Sequence, residues 1–557
     1  MDKTNTANTN KWLYAFVGLA VLLNFSGLFV PIIAPDGALY AGIAKSMVMR
    51  NNYIDLFAEG RDWLDKPHFP FWMAALSFKC FGFTTWAYKL PAILFLMMGA
   101  RYTYLLAQNL YNSEVALWAV LILLTAQHIV ISNQDVRAEP YLTGLIIASV
   151  YHFYKANINN GLLHLVIGAL FAACALMTKG MFALIPICGA IAGELIIKQQ
   201  WKQLFSWKWL LAAALILIFI LPELYCLREQ FDLHPEKVVF GHHNVSGIRF
   251  FFWDSQFGRF FNTGPIKGHG DITFFIHTTL WAFLPWSLLL FAAVFQFFKR
   301  NAKNVQGAEW YCISGFLLTF LVFSASKFQL PFYTNIIFPF YAIITAQYLL
   351  GVVQASSIKA IKVVQTVIVA LLLALVVVLQ YFFRSNFVNW LVGFVLLGLV
   401  VLLIVLPMRL TLLGYQKVAI CTLLAAFIVN LYLNLVFYPA LLKYQSGSEA
   451  AVWINQNNPE KLPVVQCIHV NDYGYPLEFY LNQPLYTVDE NGTGTLPAKP
   501  FLMYAYPNNI AFLKTKGWQI SPVKTFERYW ITRLKPAFLN AKTRQSTLEQ
   551  VDLVLVK

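Results

Sequence analysis

Charged side chains are scarce in this chain: Asp, Glu, Lys and Arg together make up 12% of its 557 residues. An ordinary soluble domain carries about 25% charged residues, so the composition excludes a soluble globular protein. The sequence instead has 59% hydrophobic residues, many of them in long apolar runs. This composition indicates an integral membrane protein.

Cysteine is also sparse, and the seven cysteines show none of the spacings that carry structural chemistry. They are scattered without a CxxC pattern, and several lie in apolar stretches, where cysteine behaves as a small hydrophobic side chain. The sequence therefore predicts neither a disulfide framework nor a zinc site.

Acidic residues are outnumbered by basic ones, 26 against 41, which gives a formal net charge of +15. The lysines and arginines form no basic face interleaved with aromatic residues, so nucleic acid is not expected as a partner. Many of them lie in short turns between apolar runs, where membrane proteins carry their orientation signals.

Apolar runs that can cross a bilayer, which takes about 20 residues, recur along most of the chain. The first, Trp12–Ile33, is too long for a signal-peptide core and lacks a small-residue cleavage site, so it is expected to remain as the first helix. We predict about thirteen transmembrane helices. The other predicted spans are Leu90–Leu110, Val115–Ser132, Tyr141–Tyr154, Leu162–Met177, Met181–Ile197, Trp209–Tyr225, Ile272–Phe298, Trp310–Ser326, Pro331–Val352, Val363–Phe383, Phe387–Leu406 and Val418–Tyr438.

The turns between these spans differ in charge. With the N-terminus in the cytoplasm, the inner turns hold most of the basic residues, whereas the short outer turns hold only Arg137, Lys179, Lys327 and Arg384. This asymmetry follows the positive-inside rule. It predicts a multi-pass protein of the inner (cytoplasmic) membrane with a cytoplasmic N-terminus and, for an odd number of spans, a periplasmic C-terminal tail.

Three polar regions are predicted on the outer side: loops 34–89 and 226–271 of a transmembrane domain, residues 1–440, and a tail, residues 441–557. Within the first loop, His68–Phe83 is apolar but too short to cross, so we expect an amphipathic interfacial helix. The tail alternates helix-like and strand-like segments, which predicts a small soluble α/β domain. Its predicted elements are helices Glu449–Asn455, Pro476–Asn482 and Asn508–Lys516, and strands Val464–His469, Leu485–Val488, Phe501–Tyr506 and Val551–Val556.

Two carboxylates and a lysine occur in the first outer loop, at Asp36 and in Asp65-Lys66-Pro67. Charge close to hydrocarbon is costly, so such a group indicates a function. The alternatives are a turn aspartate that bonds its own backbone and a lysine that anchors the interfacial helix. Under the functional interpretation, Asp36 is catalytic and Asp65 and Lys66 bind substrate.

The short outer turn 133–140 holds three charges, Asp135, Arg137 and Glu139. One interpretation is a local ion pair, which contributes under about 1 kcal/mol at a surface. Glu139, which precedes Pro140, also fits the start of a helix. The other interpretation adds Glu139 and Asp135 to the catalytic residues.

The second large outer loop and a later turn carry candidate ligands for an anion. Arg259 and Lys327 suit a phosphate, because a guanidinium fork and an ammonium point charge both match its oxygens. Gln256 and His269 are further candidates for substrate binding. The pair His242-His243 can bind a metal, but no third ligand follows at a recognisable spacing, and solvated loop histidines are the alternative.

Six short motifs follow one another between Trp12 and Tyr341. They are Asp36-Gly37-Ala38-Leu39-Tyr40-Ala41, Asp65-Lys66-Pro67 with Phe71-Trp72, Lys89-Leu90-Pro91, Glu139-Pro140-Tyr141-Leu142-Thr143, Gly258-Arg259-Phe260, and Ser326-Lys327 with Leu330-Pro331-Phe332-Tyr333. In this order they resemble the motifs of polyprenyl-phosphate-sugar-dependent membrane glycosyltransferases of family 39. That family includes the protein O-mannosyltransferases and the lipid A aminoarabinose transferases.

The resemblance implies a type C glycosyltransferase architecture and an inverting transfer of a sugar from a polyprenyl-phosphate donor to a hydroxyl acceptor. Asp36 would take the acceptor proton, and Glu139 or Asp135 would orient the acceptor or the base. Lys66, with Arg259 and Lys327, would bind the phosphate. Aromatic side chains would pack on the sugar or the prenyl chain, and the candidates are Tyr40 and Trp63.

The chain also departs from the family pattern. Gly37 replaces a glutamate, and Glu139 replaces an aspartate. Gln256 stands where the aminoarabinose enzymes have a loop histidine, which weakens the case for that particular substrate.

Two other functions stay open: a transporter or flippase of lipid-linked sugars, and a non-catalytic scaffold, because Gly37 breaks an acidic pair. The expected partners are the lipid bilayer, a polyprenyl-phosphate-linked sugar, and a glycolipid (lipid A included), glycan or protein acceptor. No cofactor is identified, and a divalent cation stays an open alternative.

Overall fold

The computed structural model describes residues 3–58, 60–159, 161–301, 304–386, 390–409, 414–467 and 474–557. In the described residues up to 441, the regular elements are helices and one short hairpin, β1 (Phe57–Ala58) with β2 (Arg61–Asp62). The helices are α1 (Lys3–Phe25), α2 (Asp36–Arg50), α3 (Phe69–Phe81), α4 (Thr85–Leu110), α5 (Ser113–Thr125), α6 (Gln127–Ser132), α7 (Glu139–Asn159), α8 (Leu162–Lys179), α9 (Leu184–Ile197), α10 (Trp201–Leu204), α11 (Trp207–Phe219), α12 (Leu221–Leu227), α13 (Gly247–Arg249), α14 (Phe257–Phe261), α15 (Phe274–Ala282), α16 (Ser287–Asn301), α17 (Tyr311–Ala325), α18 (Phe338–Gly351), α19 (Ala355–Phe383), α20 (Trp390–Arg409), α21 (Gly414–Tyr432) and α22 (Tyr438–Leu441).

Seven helical segments of the described residues are long and apolar enough to cross a membrane, which agrees with the prediction of a polytopic helical membrane protein. Five further apolar helices have only 10–17 residues. The seven segments are Thr85–Leu110, Leu162–Lys179, Trp201–Phe219, Pro331–Gly351, Ala355–Phe383, Trp390–Arg409 and Tyr415–Tyr444.

The difference from the predicted count of about thirteen arises because several apolar runs fold as broken helices. The run Val115–Ser132 is divided into α5 and α6 at Ala126, whose backbone is extended (φ −63°, ψ 130°). The run Ile272–Phe298 is divided into α15 and α16 near Pro285, which has no amide hydrogen to continue a helix. Hydropathy is continuous across such breaks, but a single long helix is not.

The apolar segments divide into an outer set and an inner set. Only 6% of the apolar window in Trp390–Arg409 is buried, against 83% of that in Tyr415–Tyr444. The exposed set has the surface expected of lipid-facing helices, since lipid tails solvate apolar side chains. Inside the bundle, α4 and α7 approach closely at Gly99 and Gly144, where a Cβ atom on Gly144 would lie 2.0 Å from the Phe95 carbonyl oxygen.

The tail forms a five-stranded mixed sheet in the order β4-β3-β5-β7-β6. Strand β3 pairs in parallel with β4 and β5, whereas β7 pairs antiparallel with β5 and β6. The elements are α23 (Ser446–Asn457), β3 (Val464–Cys467), α24 (Tyr475–Tyr480), β4 (Leu485–Val488), β5 (Phe501–Ala505), α25 (Pro507–Thr515), β6 (Ile520–Arg528), α26 (Pro536–Leu539) and β7 (Glu549–Val556).

Each predicted element of the tail has a counterpart in this sheet or its helices, although residues 468 and 469 of the predicted strand Val464–His469 lie outside the described residues. Strand β6 was not predicted. Most of its side chains are exposed, so it lacks the apolar alternation by which a half-buried strand is recognised.

The tail docks on α2 through specific polar contacts. The Lys45 ammonium donates to the carbonyl oxygens of Glu478 (3.1 Å), Phe479 (2.8 Å) and Leu481 (2.7 Å), which lie at the C-terminal end of α24. A cation is favoured at that end of a helix because the unpaired carbonyl groups there carry partial negative charge. The contact fixes α2 relative to the sheet, and α2 begins at Asp36.

Candidate active site

Asp36 is the first residue of α2, and its carboxylate pairs with an arginine from a distant turn. The Arg137 Nη1 atom lies 2.5 Å from Asp36 Oδ2, and Nη2 lies 2.7 Å from Asp135 Oδ2. The guanidinium carbon is also 4.4 Å from the centre of the Phe332 ring. Asp36, Arg137 and Asp135, here called the acid-rich cluster, therefore hold one cation between two carboxylates.

Burial differs within the acid-rich cluster. The Asp36 side chain is 38% exposed, whereas those of Asp135 and Arg137 are 18% and 15% exposed. Burial raises the pKa of Asp135, although the neighbouring Arg137 charge opposes the shift. Asp36 is thus the carboxylate of this cluster that an incoming acceptor reaches more easily.

Asp65 lies between two basic side chains in a second group. The Lys66 Nζ atom is 2.5 Å from Asp65 Oδ2, and the Arg259 guanidinium pairs with the other carboxylate oxygen. Asp65, Lys66 and Arg259, here called the base-rich cluster, have one more positive charge than negative. Lys66 and Arg259 are about two hundred residues apart in the sequence. In the fold, both form ion pairs with the Asp65 carboxylate.

A cavity of about 680 Å³ opens beside the base-rich cluster. Burial lowers the pKa of Lys66, while the nearby Tyr333, Asp36 and Glu139 groups act in the opposite direction. The two clusters therefore share one electrostatic environment. The polar residues that line the cavity are Asp65, Lys66, Lys179, Ser255, Gln256, Arg259, Ser326 and Tyr333.

Glu139 starts α7 and forms an ion pair with Lys179 at the end of α8. The Glu139 side chain is only 2% exposed, and the Lys179 ammonium lies 3.7 Å from the centre of the Tyr333 ring. The pair adjoins both clusters, because Lys179 lines the cavity beside the base-rich cluster and its ammonium lies 5.7 Å from the centre of the Phe332 ring on which Arg137 also packs.

Sequence reasoning did not identify Lys179 as a site residue and treated Arg137 only as an ion-pair partner. A signal for both was present: they are two of the four basic residues predicted in short outer turns. Positive charge is depleted on that side of a membrane protein, so a lysine or arginine retained there needs a reason.

Tyr40 and Trp63 form an aromatic group with Phe71. Their ring centres are 6.0 Å apart for Tyr40 with Trp63, 5.4 Å for Tyr40 with Phe71, and 5.6 Å for Trp63 with Phe71. All three pairs are edge-to-face, an arrangement favoured by the ring quadrupoles. This packing holds the start of α2 against the loop that precedes Asp65.

Gln256 lines the cavity but is engaged mainly in holding the turn after α8. Its Nε2 atom donates to the Lys179 carbonyl (3.2 Å) and to Ser255 Oγ (2.7 Å), and its Oε1 accepts from the Phe182 amide (3.3 Å). A Cβ atom on Gly180, whose φ is +85°, would lie 2.3 Å from Nε2. Gln256 thereby supports the backbone of Lys179.

Lys327 and His269 lie apart from the other predicted residues. Both side chains are exposed, and neither lines the cavity. Within the described part of the chain, the Lys327 backbone amide donates to the Phe260 carbonyl (3.0 Å), but its ammonium makes no ion pair. The predicted roles of these two residues in binding substrate stay predictions.

His68 holds the Lys66 loop to the bundle. Its backbone amide donates to Glu223 Oε2 (3.0 Å), its Nδ1 is 3.0 Å from Glu223 Oε1, and its Nε2 is 2.7 Å from the Ile54 carbonyl oxygen. Two acceptors facing both ring nitrogens require a protonated ring. Burial opposes this charge, but Glu223 and the hydrogen bonds outweigh it and raise the pKa of His68.

The residues present do not cluster as metal ligands. Among the described residues, no group of three or more His, Cys, Asp or Glu side chains is placed to hold a metal ion. In the clusters described above, each carboxylate is paired with an arginine or lysine.

The fold and the site together define a class: a helical membrane protein in which surplus positive charge adjoins an accessible carboxylate. The positive charges suit a phosphate group, and a carboxylate near by suits an acceptor that must lose a proton.

Known proteins agree with this class. A sequence profile described as dolichyl-phosphate-mannose-protein mannosyltransferase matches residues 65–226. The undecaprenyl phosphate-alpha-4-amino-4-deoxy-L-arabinose arabinosyl transferase of Edwardsiella ictaluri is 26% identical over 56% of this chain and 55% of its own length. The protein of the same name from Pseudomonas aeruginosa PAO1 is 27% identical over 58% of this chain and 56% of its own.

The chain thus spans about half the length of these curated relatives. A crystal structure of ArnT from Cupriavidus metallidurans bound to undecaprenyl phosphate superposes with a TM-score of 0.73 at 16% identity and covers 98% of both chains. That likeness shows a shared fold. Together these matches confirm the predicted resemblance to the polyprenyl-phosphate-sugar-dependent membrane glycosyltransferases.

Proposed function

We propose that this protein is an inverting glycosyltransferase that moves a sugar from a polyprenyl-phosphate donor to a hydroxyl acceptor. The observation that carries the proposal is the convergence of the base-rich cluster and the Asp36 carboxylate on one electrostatic environment beside the cavity. The resemblance to transferases named for an undecaprenyl-phosphate sugar supports the same donor class.

In the proposed reaction, Lys66 and Arg259 bind the phosphate oxygens and stabilise the negative charge that develops as the donor bond breaks. The acceptor oxygen forms a bond to the anomeric carbon, and the bond from that carbon to the phosphate oxygen breaks. The electron pair leaves with the polyprenyl phosphate, so no strong general acid is needed. Tyr333, which also lines the cavity, is placed to contact the same phosphate.

Asp36 takes the acceptor proton as the new bond forms. Arg137 pairs with Asp36 and aligns its carboxylate, and Glu139 or Asp135 orients the acceptor or the base. Tyr40 and Trp63 support α2 and offer apolar surface to the sugar or prenyl chain. Lys327 and His269, which do not line the cavity, are proposed to contact the part of a bound substrate that extends out of it.

The proposed placement puts this site at the outer face of the inner membrane. The N-terminus is cytoplasmic, residues 1–440 form the transmembrane domain with about thirteen crossings, and residues 441–557 form a soluble periplasmic α/β domain. The charge asymmetry of the turns supports the orientation. The broken and shorter apolar helices support a count above the seven long ones.

A transporter or flippase of lipid-linked sugars is not favoured, because transporters place their polar residues on broken helices near the membrane midplane, often in repeated halves. Here the charged residues gather in outer turns and loops. The partners proposed are the lipid-linked donor, the bilayer, and a glycolipid, glycan or protein acceptor.

The test uses the purified full chain in detergent with a radiolabelled sugar on undecaprenyl phosphate and an extract of envelope acceptors. Asp36→Asn is expected to lower transfer by about 10³-fold while undecaprenyl phosphate binding persists. Lys66→Ala is expected to weaken that binding. Asp271→Asn, an exposed carboxylate of the same outer surface, is the matched control. Full transfer by a folded Asp36→Asn protein would contradict the proposal.

A further inference from the structure

A second cavity lies between the segment that leads into Asp36 and the C-terminal sheet. Ala34 and Pro35 form one wall of it, directly before the proposed catalytic carboxylate. The site described above does not include this cavity. The opposite wall comes from the tail, whose role the proposed reaction leaves unexplained.

A buried amide faces this cavity without a partner. Gln466 on β3 is 1% exposed, and its Oε1 atom finds no hydrogen-bond partner among the described residues. A buried polar atom left unpaired is destabilising, so native structures rarely retain one without a reason. The amide packs directly on Gly474, where a Cβ atom would lie 2.0 Å from Oε1. The oxygen is covered in the empty cavity, so a ligand must displace part of this packing before it can donate a hydrogen bond to it.

The rest of the lining combines hydroxyl groups and aromatic rings with one arginine, Arg528, whose charge is paired with Glu549. Ser446 Oγ and the Tyr504 hydroxyl lie 2.7 Å apart, and Trp530 is half-buried with its Nε1 donating to Thr532 Oγ1 (2.7 Å). The Tyr529 ring stacks on Phe538 with centres 3.7 Å apart, which fixes its orientation. A pyranose presents the matching surfaces, since its hydroxyl groups suit the polar atoms and its C–H faces suit aromatic rings.

The cavity wall and the Asp36 segment are held in fixed relation. Gln445 Nε2 donates to the Ile32 carbonyl (2.9 Å), and its Oε1 accepts from the Ala34 amide (2.9 Å). The Ile32 amide donates to the Tyr480 hydroxyl (2.8 Å), which places a second anchor of the tail on the same segment. Because these bonds span the boundary between the tail and the bundle, a ligand in the cavity has a defined position relative to Asp36.

We propose that this cavity binds a neutral pyranose unit of the acceptor, next to the sugar hydroxyl that is glycosylated. The proposal rests on the proposed transferase function and narrows its acceptor to a glycan or glycolipid rather than an unglycosylated protein. The tail thereby acts as the acceptor-selecting part of the enzyme, and the Gln445 contacts transmit its position to the catalytic segment.

The test uses saturation-transfer difference NMR on the full chain in detergent, with methyl glycosides of glucose, galactose, mannose and N-acetylglucosamine as probes. At least one probe is expected to receive saturation through its ring C–H protons. Trp530→Ala and Gln466→Met are each expected to weaken binding by about tenfold or more. Trp518→Ala is the matched control, because Trp518 is a half-buried tryptophan of the same sheet region that packs on Phe501 and does not line the cavity.

Undecaprenyl phosphate binding, measured by native mass spectrometry on the same samples, shows that the variants are folded and tests the donor site separately. If no pyranose binds, or if Trp530→Ala binds as well as the wild type, the acceptor proposal fails whatever the donor result. Binding of an unglycosylated Ser/Thr peptide in a Trp530-dependent manner also overturns it. If the wild type binds a pyranose but not undecaprenyl phosphate, the transferase function is overturned instead.

Discussion

The acid-rich and base-rich clusters are built from the same kinds of side chains but with opposite excess charge. In the first, Arg137 lies between Asp36 and Asp135, and in the second Asp65 lies between two basic groups. Both are compact and partly buried. Their difference shows that function here depends on which sign is left over after the ion pairs form.

The sign of the excess charge determines which substrate group each cluster can attract. A surplus carboxylate accepts a proton from a hydroxyl, whereas a surplus cation attracts a phosphate. Only the base-rich cluster lines the cavity, and each cluster holds its own internal ion pairs. The Glu139–Lys179 pair, which is balanced in charge, adjoins the cavity through Lys179.

After Asp36→Asn, the largest expected effect comes from removing the cation of the acid-rich cluster. Arg137→Met leaves Asp36 and Asp135 facing each other without a counter-charge, so one of them is expected to take up a proton. Transfer should fall by about 10²-fold because the base is misplaced or protonated. Initial rates of sugar transfer measure the loss, and thermal unfolding in detergent should show a lower melting temperature. Arg137→Lys, which retains the charge, is the control and should lose less.

Removing the single acid of the base-rich cluster is the corresponding change in the other cluster. Asp65→Asn frees Lys66 and Arg259 from their internal partner, so undecaprenyl phosphate is expected to bind more tightly by roughly tenfold. Turnover should slow because the product phosphate leaves more slowly. Titration by native mass spectrometry measures the affinity. Weaker binding would mean that Asp65 serves to align the two cations rather than to compete with the phosphate.

The base-rich cluster should also respond to alkaline pH. Because burial lowers the pKa of Lys66, phosphate affinity is expected to decline as pH rises through that lowered value, below the ordinary lysine value of about 10.5. Lys66→Arg should move the decline to higher pH, since guanidinium keeps its proton. Dissociation constants for undecaprenyl phosphate across a pH series provide the measurement. An identical profile for both proteins would exclude Lys66 as the titrating group.

A smaller effect is expected at the His68–Glu223 contact. A histidine whose pKa is raised on folding stabilises the folded state fully below its unfolded pKa of about 6.5, and this contribution is lost as pH rises through the raised value. Thermal unfolding of the wild type should therefore shift downward over that range. Glu223→Gln removes the carboxylate that raises the pKa, so its melting temperature should vary less with pH. Equal slopes for both proteins would contradict this account.

Sequence reasoning identified the membrane class and proposed most of the charged residues that the structure brings together, because each has a local signal. Asp36, Lys66 and Glu139 stand out as charges in apolar surroundings. Lys179 was missed because an isolated lysine after an apolar run has the same local pattern as an anchoring lysine. Its partner Glu139 lies forty residues away, so only tertiary contact distinguishes the two.

In the tail, too, elements with a local sequence signal were predicted and those without one were missed. Strand β4 was predicted at its observed bounds because its apolar residues are flanked by turn residues. Strand β6 was missed, since an exposed edge strand needs little apolar surface. The docking of the tail on α2 had no local signal either, because Lys45 satisfies backbone carbonyls, which every sequence contains.

The sequence by itself determined that the chain is a helical membrane protein with charged loops between apolar helices, because hydropathy and charge act residue by residue and need no contacts. Tertiary structure alone decided which sign of charge is in excess in each cluster. Arg137 neutralises part of one acidic pair and Asp65 part of one basic pair, and those pairings join residues up to about two hundred positions apart. Electrostatic balance depends on distances in space, which spacing along the chain does not specify.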